Sequence, residues 1–298
     1  MFPTQSRRTF SRRLAGGLAA WPLVQFAAPA LAAPVPGAAP PKAAMEVQLL
    51  RHATLLVRLA GRTLLVDPML SAKGSLDPVA NAANATRIPM TELPLGEDAL
   101  NRLLRETEAV LVTHTHRDHW DARAVALIPK NKTIFCQPAD AAKIQAQGFT
   151  QVQPVEDTFS WRGISLHRTG GRHGTGEIGQ QMGPVSGFVL QENDQSVYIA
   201  GDTVWCPEVA DALTKHQPKV VVVNAGAAQF LQGDPITMTA EDVAAVCRHA
   251  PRANVVAVHL ETVNHCLLTR QALRDSLAEQ HLSGRVRIPA DGQTTRFA

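Results

Sequence analysis

The sequence predicts an α/β fold of two β-sheets with helices on their outer faces. Two observations point to it. Short apolar strand patterns alternate with amphipathic helical patterns along the body of the chain, and each half begins with hairpin-like strands before that alternation sets in. Val47–Leu59 reads as one strand that turns at Gly61-Arg62 into a second, Thr63–Val66. Residues Ser71–Leu95, rich in Pro, Asn and Gly, form a long loop of the kind that borders a functional site. Helix Glu97–Arg105 then leads to the buried strand Ala109–Val112, and helix Ala122–Leu127 to strand Thr133–Cys136. Helix Pro138–Gln147 is closed by Gly148. Two hairpin-like regions, Thr158–His167 and Ser186–Ala200, open the second half, the latter turning at Asn193-Asp194. Helix Pro207–Lys215 and strand Lys219–Val223 follow. Thr239 caps a helix through His249, with Asp242 completing a partial capping box. Strand Asn254–Val258, helix Thr269–Gln280 and strand Arg285–Ile288 end the pattern.

The first 32 residues read as an export signal. Ser6-Arg7-Arg8-Thr9-Phe10 resembles the twin-arginine consensus, a weakly apolar run follows, and Ala30-Leu31-Ala32 suits signal peptidase. Gly16, Gly17, Pro22 and Pro29 interrupt the run and disfavour a spanning helix. The expected location is therefore periplasmic or secreted, with no stable membrane span after cleavage. Residues 33–44, nearly all Ala, Pro and Gly, read as a linker, and residues 45–298 as one folded domain. The formal charge of +3 is carried by the leader: without its four arginines the chain has 25 Lys and Arg against 26 Asp and Glu. That balance gives no bulk case for nucleic-acid binding and leaves a small-molecule substrate as the expected partner. Cys136, Cys206, Cys247 and Cys266 form no C-x-x-C pair and read as small buried hydrophobes, although spacing cannot exclude a disulfide.

The chemistry is concentrated in Thr113-His114-Thr115-His116-Arg117-Asp118-His119-Trp120-Asp121, directly after the apolar strand Ala109–Val112. Three imidazoles and a carboxylate this close together at a strand end suit zinc or a similar divalent ion. On an extended turn alternate residues face the same way, so His114 and His116 can grip one ion while Asp118 and His119 face a neighbouring position.

This H-x-H-x-D-H pattern resembles the metallo-β-lactamase superfamily, and further elements of that family appear in order. They are Val66-Asp67-Pro68, Arg172-His173-Gly174, Gly201-Asp202-Thr203 and His259 at the end of Asn254–Val258. The resemblance implies an αββα sandwich of two mixed sheets. It assigns His114, His116 and His173 to one divalent ion and Asp118, His119 and His259 to a second, with Asp202 bridging both. The ions are expected to be zinc, with manganese or iron as alternatives. Asp118 and Asp202 are the expected catalytic carboxylates, around a water held between the ions. A histidine at 116 separates this chain from the family's di-iron branch, which carries a carboxylate there, and favours hydrolysis. Gly201-Asp202-Thr203-Val204-Trp205-Cys206 is similar to the ascorbate-6-phosphate lactonase-like and N-acyl phosphatidylethanolamine phospholipase D-like subgroup. That similarity implies a small ester, lactone or phosphodiester substrate. A β-lactamase acting on antibiotics and a non-catalytic metal-binding protein are the alternatives.

Other residues carry two readings each. His265 is either the last ligand in place of His259 or, with Asn224, a substrate-binding residue. His52 either faces the metals from behind or is packed like any other core residue. Asp121 either orients a ligand or caps the next helix, and Asp67 is expected to support rather than ligate. Cys206 is a conceivable soft ligand whose place Asp202 already fills. His167, on a strand, is expected to be packed or exposed and not a ligand, and His216, His249 and His281 are expected at the surface.

Overall fold

The computed structural model describes residues 45–297; the expected signal peptide and linker lie outside them. Seven strands form each of two sheets. The first holds β1 (Met45–Arg51), β2 (Thr54–Leu59), β3 (Arg62–Val66), β4 (Ala109–Val112), β5 (Thr133–Cys136), β6 (Gln151–Pro154) and β14 (Thr294–Phe297), in the order β14-β1-β2-β3-β4-β5-β6. The second holds β7 (Thr158–Trp161), β8 (Ile164–Thr169), β9 (Gly187–Glu192), β10 (Gln195–Ile199), β11 (Val220–Asn224), β12 (Asn254–Val258) and β13 (Val286–Arg287), in the order β13-β12-β11-β10-β9-β8-β7. Each sheet is mixed: β3 to β6 run parallel, as do β10 to β13, and the remaining pairs are antiparallel.

Period-two alternation builds the layers. Leu64 and Val66 of β3 face the core between the sheets, together with Val220 and Val222 of β11, Phe135 and Phe188. Their neighbours Leu65, Val110 and Ile134 face outward onto α1 (Glu97–Glu106), α2 (Ala122–Leu127) and α3 (Pro138–Ala146) through Leu100, Ala124 and Ile144. Val221, Val223 and Val255 do the same for α5 (Pro207–His216), α6 (Ala240–His249) and α7 (Arg270–Glu279). Strands buried on both faces read as continuous apolar runs, which is why β4, β11 and β12 are visible in the sequence. The result is the expected αββα sandwich. The Thr239–Asp242 capping box is complete in both directions.

The structure differs from the sequence reading at several elements. Val47–Leu59 is two strands, not one, because the chain reverses at His52-Ala53 without any Gly, Pro or Asn. β6, β14 and α4 (Gly176–Met182) have no counterpart in the reading. β6 is a short edge strand with no fully buried residue, β14 pairs with β1 at the opposite edge, and α4 buries none of its residues. All four are places where tertiary pairing, not local pattern, decides the structure. Among the described residues no helix is long and apolar enough to cross a membrane.

One buried cation ties the long loop to the sheet. Arg51, with no solvent exposure, donates to the carbonyls of Met69 (2.7 Å), Ser71 (2.8 Å) and Thr91 (3.1 Å). Burial lowers its guanidinium to about 10, with Asp121 opposing that shift, so it stays charged at neutral pH. Asp121 accepts from Ser71 N and, as the N-cap of α2, from Ala124 N. The capping reading of Asp121 therefore holds, and it also anchors the loop. Arg51→Met should leave three buried carbonyls without donors, at about 1–3 kcal/mol each, and lower stability by roughly 3 kcal/mol or more. Urea unfolding measures it; a loss below about 1 kcal/mol contradicts the clamp.

Candidate metal centre

The C-terminal ends of the parallel strands meet at one edge of the sandwich, where open α/β sheets place their sites. Asp67 follows β3; His114, His116, Asp118 and His119 follow β4; Asp202 follows β10; Asn224 ends β11; and His259 follows β12. His173 enters from the connection between β8 and α4. β2 runs antiparallel to β3, so the β1–β2 turn, with His52, lies at this same edge.

Donor atoms converge here. Those of His114, His116 and His173 lie within 4.8 Å of one another, as do those of His114, His119 and Asp202, and those of His52, Asp118, His119 and His259. His114 Nε2 is 3.0 Å from His116 Nδ1, and His119 Nε2 is 3.2 Å from His259 Nε2. Asp202 reaches across the whole cluster. Its Oδ2 lies 3.2 Å from His119 Nε2, 3.5 Å from His173 Nε2 and 3.9 Å from His114 Nε2, while Oδ1 lies 3.3 Å from His259 Nε2. Asp118 Oδ2 sits 3.6 Å from His259 Nε2 and 3.7 Å from His119 Nε2.

The outer ring atoms set the tautomers. His119 Nδ1 donates to Asp67 Oδ2 (2.9 Å), and His173 Nδ1 to the Ile236 carbonyl (2.8 Å). His114 Nδ1 meets Thr113 Oγ1 (3.2 Å), which itself donates to Asp67 Oδ2 (2.7 Å). His259 Nδ1 faces Cys266 Sγ at 3.5 Å. With these nitrogens donating outward, each neutral ring turns a bare lone pair inward. The Nε2 lone pairs of His119 and His259, facing each other at 3.2 Å, repel unless a cation lies between them. Two imidazole nitrogens on one tetrahedral zinc, each at 2.0–2.1 Å, would be about 3.3 Å apart. The donor set therefore fits divalent metal.

Electrostatics agree. Burial opposes charge on Asp118 and Asp202, yet the surrounding imidazoles, His119 foremost, hold both well below the usual carboxylate range. Burial also opposes charge on His119, but Asp202, Asp118 and Asp67 raise it to about 10; His259 is raised well above its usual value mainly by Asp202 against the same penalty. Burial keeps His114 well below its usual value and lowers His173. The field that draws protons to His119 and His259 is the field that draws a metal cation, and binding metal releases those protons.

The backbone bends to make this convergence. His52, Asp67 and His259 all have positive φ, at 59°, 43° and 66°. Such conformations in residues other than glycine cost about 1–3 kcal/mol each and cluster at functional sites. A Cβ on Gly226 would sit 2.3 Å from the His259 carbonyl, so only glycine lets the β11–α6 segment pass behind that ligand. Gly201, at φ +70°, leaves no room for a Cβ beside the Ser186 carbonyl and turns the chain so that Asp202 faces inward.

The remaining candidates fall on either side of the cluster. His259, not His265, reaches it. His265 is buried behind the mouth with its ring stacked on Phe230, centroids 5.6 Å apart. Asn224, expected near substrate, is buried behind Asp202 and donates Nδ2 to its Oδ1 at 2.6 Å. It positions the bridging candidate, a role that its place at a strand end did not announce. Cys206 is the N-cap of α5, beside Thr203 and outside the cluster, and all four cysteines are free. His249 and His281 are exposed, and His167 and His216 stack half-buried on each other away from the site.

The cluster opens to solvent at half-buried His116 and at Asp118, whose side chain is 11% exposed. A cleft of about 1030 Å³ lies between the long loop, α4 and the Phe230–Asp234 turn; Thr175 on its wall is two residues from His173, and none of the donors lines it. Val79, Ile178, Met182, Phe230 and Leu231 line it with the acids Glu177 and Asp234, and no Lys or Arg does. The long loop is strapped in place. Asn264 accepts from Val79 N and donates to the Val79 and Asn84 carbonyls, and Leu231 N donates to the Asn81 carbonyl.

If Asp67 holds His119 in its ligating tautomer, Asp67→Asn should keep the fold and weaken metal binding roughly 10–100-fold. Competition against a chromophoric chelator reads this, and an affinity equal to wild type contradicts the role.

Comparisons with known proteins agree with this geometry. The model of the β-lactamase superfamily domain matches residues 62–260. The UPF0173 protein YddR of Bacillus subtilis is 36% identical over 257 residues, which cover 85% of this chain and all of YddR. The crystal structure of a possible metal-dependent hydrolase from Veillonella parvula superposes with a TM-score of 0.82 at 35% identity, covering 86% of this chain and all of that one. That of an isothiocyanate hydrolase from Delia radicum gut bacteria does so at 0.80 and 37% identity, covering 85% and 99%. The chain belongs to the metallo-β-lactamase superfamily, within its UPF0173 family, and is a metal-dependent hydrolase.

Proposed function

We propose that the chain binds two divalent ions and adds water to a small, uncharged, largely apolar electrophile, with an isothiocyanate as the leading candidate. The observation that carries the two-ion reading is the Asp202 carboxylate, placed between two histidine groups with an oxygen near each. Bound ions of this kind lower the pKa of water toward neutrality and stabilise developing negative charge on the substrate. The chain's own residues set the rest. Asn224 fixes the Asp202 carboxylate, and Asp118, the carboxylate of the cluster that reaches solvent, is placed to accept the proton of the attacking water.

The cleft supports the substrate class. Val79, Ile178, Met182, Phe230 and Leu231 offer an alkyl or aryl group apolar contact among the polar Asn81, Gln181 and Gln232, and Glu177 and Asp234 on the same wall oppose the anionic phosphodiester that subgroup resemblance also allows. The relative named as an isothiocyanate hydrolase shares over a third of its residues with this chain. Water adding to the central carbon of R–N=C=S gives a thiocarbamic acid. Cleavage of its C–N bond, with the proton passing to nitrogen, yields R–NH2 and carbonyl sulfide. Uncharged esters and lactones present a carbon open to the same attack.

The test is a panel of benzyl isothiocyanate, a γ-lactone, an aryl ester, a phosphodiester and a β-lactam, assayed with wild type and Asp202→Asn. Turnover should be highest on the isothiocyanate, and Asp202→Asn should lower it by about three orders of magnitude or more while the fold persists. Preference for the phosphodiester or the β-lactam contradicts the substrate class. Variant turnover within about tenfold of wild type removes Asp202 from the chemistry.

A further inference from the structure

His265 is a buried imidazole that the metal centre leaves unused. It is 6% exposed, and its ring stacks on Phe230, which lines the cleft. Apart from burial, the groups that act most on that ring are Asp118, His259, Asp202 and His173, donors expected at both ions. His265 belongs to none of the converging donor groups, so it stands between the cleft wall and the cluster. Its backbone is fixed. Gln229 N donates to the His265 carbonyl at 2.9 Å, the next residue, Cys266, bridges to Ala228, and the preceding Asn264 holds the long loop at Val79 and Asn84.

The two ring nitrogens differ. Nδ1 is fully enclosed and has no partner. Nε2 is not enclosed in this way, and no described residue accepts from it. A proton on Nδ1 would be a buried donor with nothing to receive it, at a cost of about 1–3 kcal/mol, and an enclosed lone pair is the less severe defect. The neutral ring therefore carries its proton on Nε2. Burial pushes the imidazole down to about 4, with His259 and His173 adding to that shift and Asp118 and Asp202 opposing it, so the ring is neutral at neutral pH. A neutral N–H fixed by packing, with no protein acceptor, is preorganised for charge that develops on a substrate.

We propose that His265 Nε2–H is the hydrogen-bond donor to the substrate heteroatom that gains negative charge when water attacks the neighbouring carbon. In R–N=C=S the water oxygen bonds to carbon and the C=N π pair moves to nitrogen, where Nε2–H meets it. The proton that Asp118 takes from water then passes to that nitrogen, and His265 keeps its own proton throughout. In an ester or lactone the same donor meets the carbonyl oxygen. Phe230 beside His265 offers contact to the alkyl or aryl group, so one residue pair fixes both ends of the substrate.

The inference rests on the proposed hydrolysis, and two measurements separate them. Heteronuclear NMR of the histidine rings in the zinc-loaded full chain should show His265 neutral at neutral pH with its proton on Nε2. A proton on Nδ1 overturns the inference, and this measurement needs no variant to fold. His265→Phe keeps a ring against Phe230 and removes the donor. It should bind zinc as wild type does and lower kcat about 100-fold on whichever panel substrate wild type turns over fastest, with KM within about threefold. If His265 only packs against Phe230, kcat stays within about threefold of wild type, which overturns this inference alone. Loss of zinc from His265→Phe also overturns it, because the residue then serves the metal and not the substrate. A wild type that turns over no panel substrate overturns the hydrolytic reading and this inference with it.

Discussion

The structure depends on gathering like-charged and lone-pair atoms that repel one another into a buried space. Two carboxylates and six imidazole nitrogens meet at separations of 3.0–3.9 Å, and the Nε2 atoms of His119 and His259 face each other at 3.2 Å. A cation resolves that repulsion, and the remaining architecture holds the donors ready for it. Parallel strands bring five chain segments to one edge. Asp67, Thr113 and the Ile236 carbonyl fix the tautomers, and Asn224 fixes the carboxylate between the two groups. Strained backbone at His52, Asp67 and His259 is sustained by the two apolar layers on either side.

Much of this was legible in the sequence because it is local. His114 to His119 are contiguous, and the strand before them is buried on both faces, so pattern and chemistry coincide. His173, Asp202 and His259 stand alone, and only their order relative to strands marks them. What stayed hidden depends on pairing across the fold. The reversal at His52-Ala53 carries no turn residue, so one strand is read where two exist, and His52 is left on a strand instead of at the site edge. Asn224, just after an apolar strand, reads as a substrate-binding candidate, because its partner Asp202 is 22 residues away. β6 and α4 bury too little to impose a periodic pattern.

The metal donors and the cleft sit on different parts of the molecule. The metal donors rise from strand ends inside a rigid double sheet, while the cleft is walled by the long loop, α4 and the Phe230 turn. That loop is not free to drift: the Arg51 guanidinium and the Asp121 carboxylate hold Ser71, Arg51 also holds Thr91, and the Asn264 amide holds Val79 and Asn84. Changes confined to the cleft wall can alter the substrate without disturbing the donors, which is how one fold serves many hydrolytic reactions.

The most direct test of the central claim is anomalous X-ray scattering from crystals of the zinc-loaded protein, with data collected on both sides of the zinc edge. The account predicts two peaks about 3.5–4 Å apart, one among His114, His116 and His173, the other among Asp118, His119 and His259, with Asp202 touching both. A single peak, or a second peak away from Asp202, would contradict it.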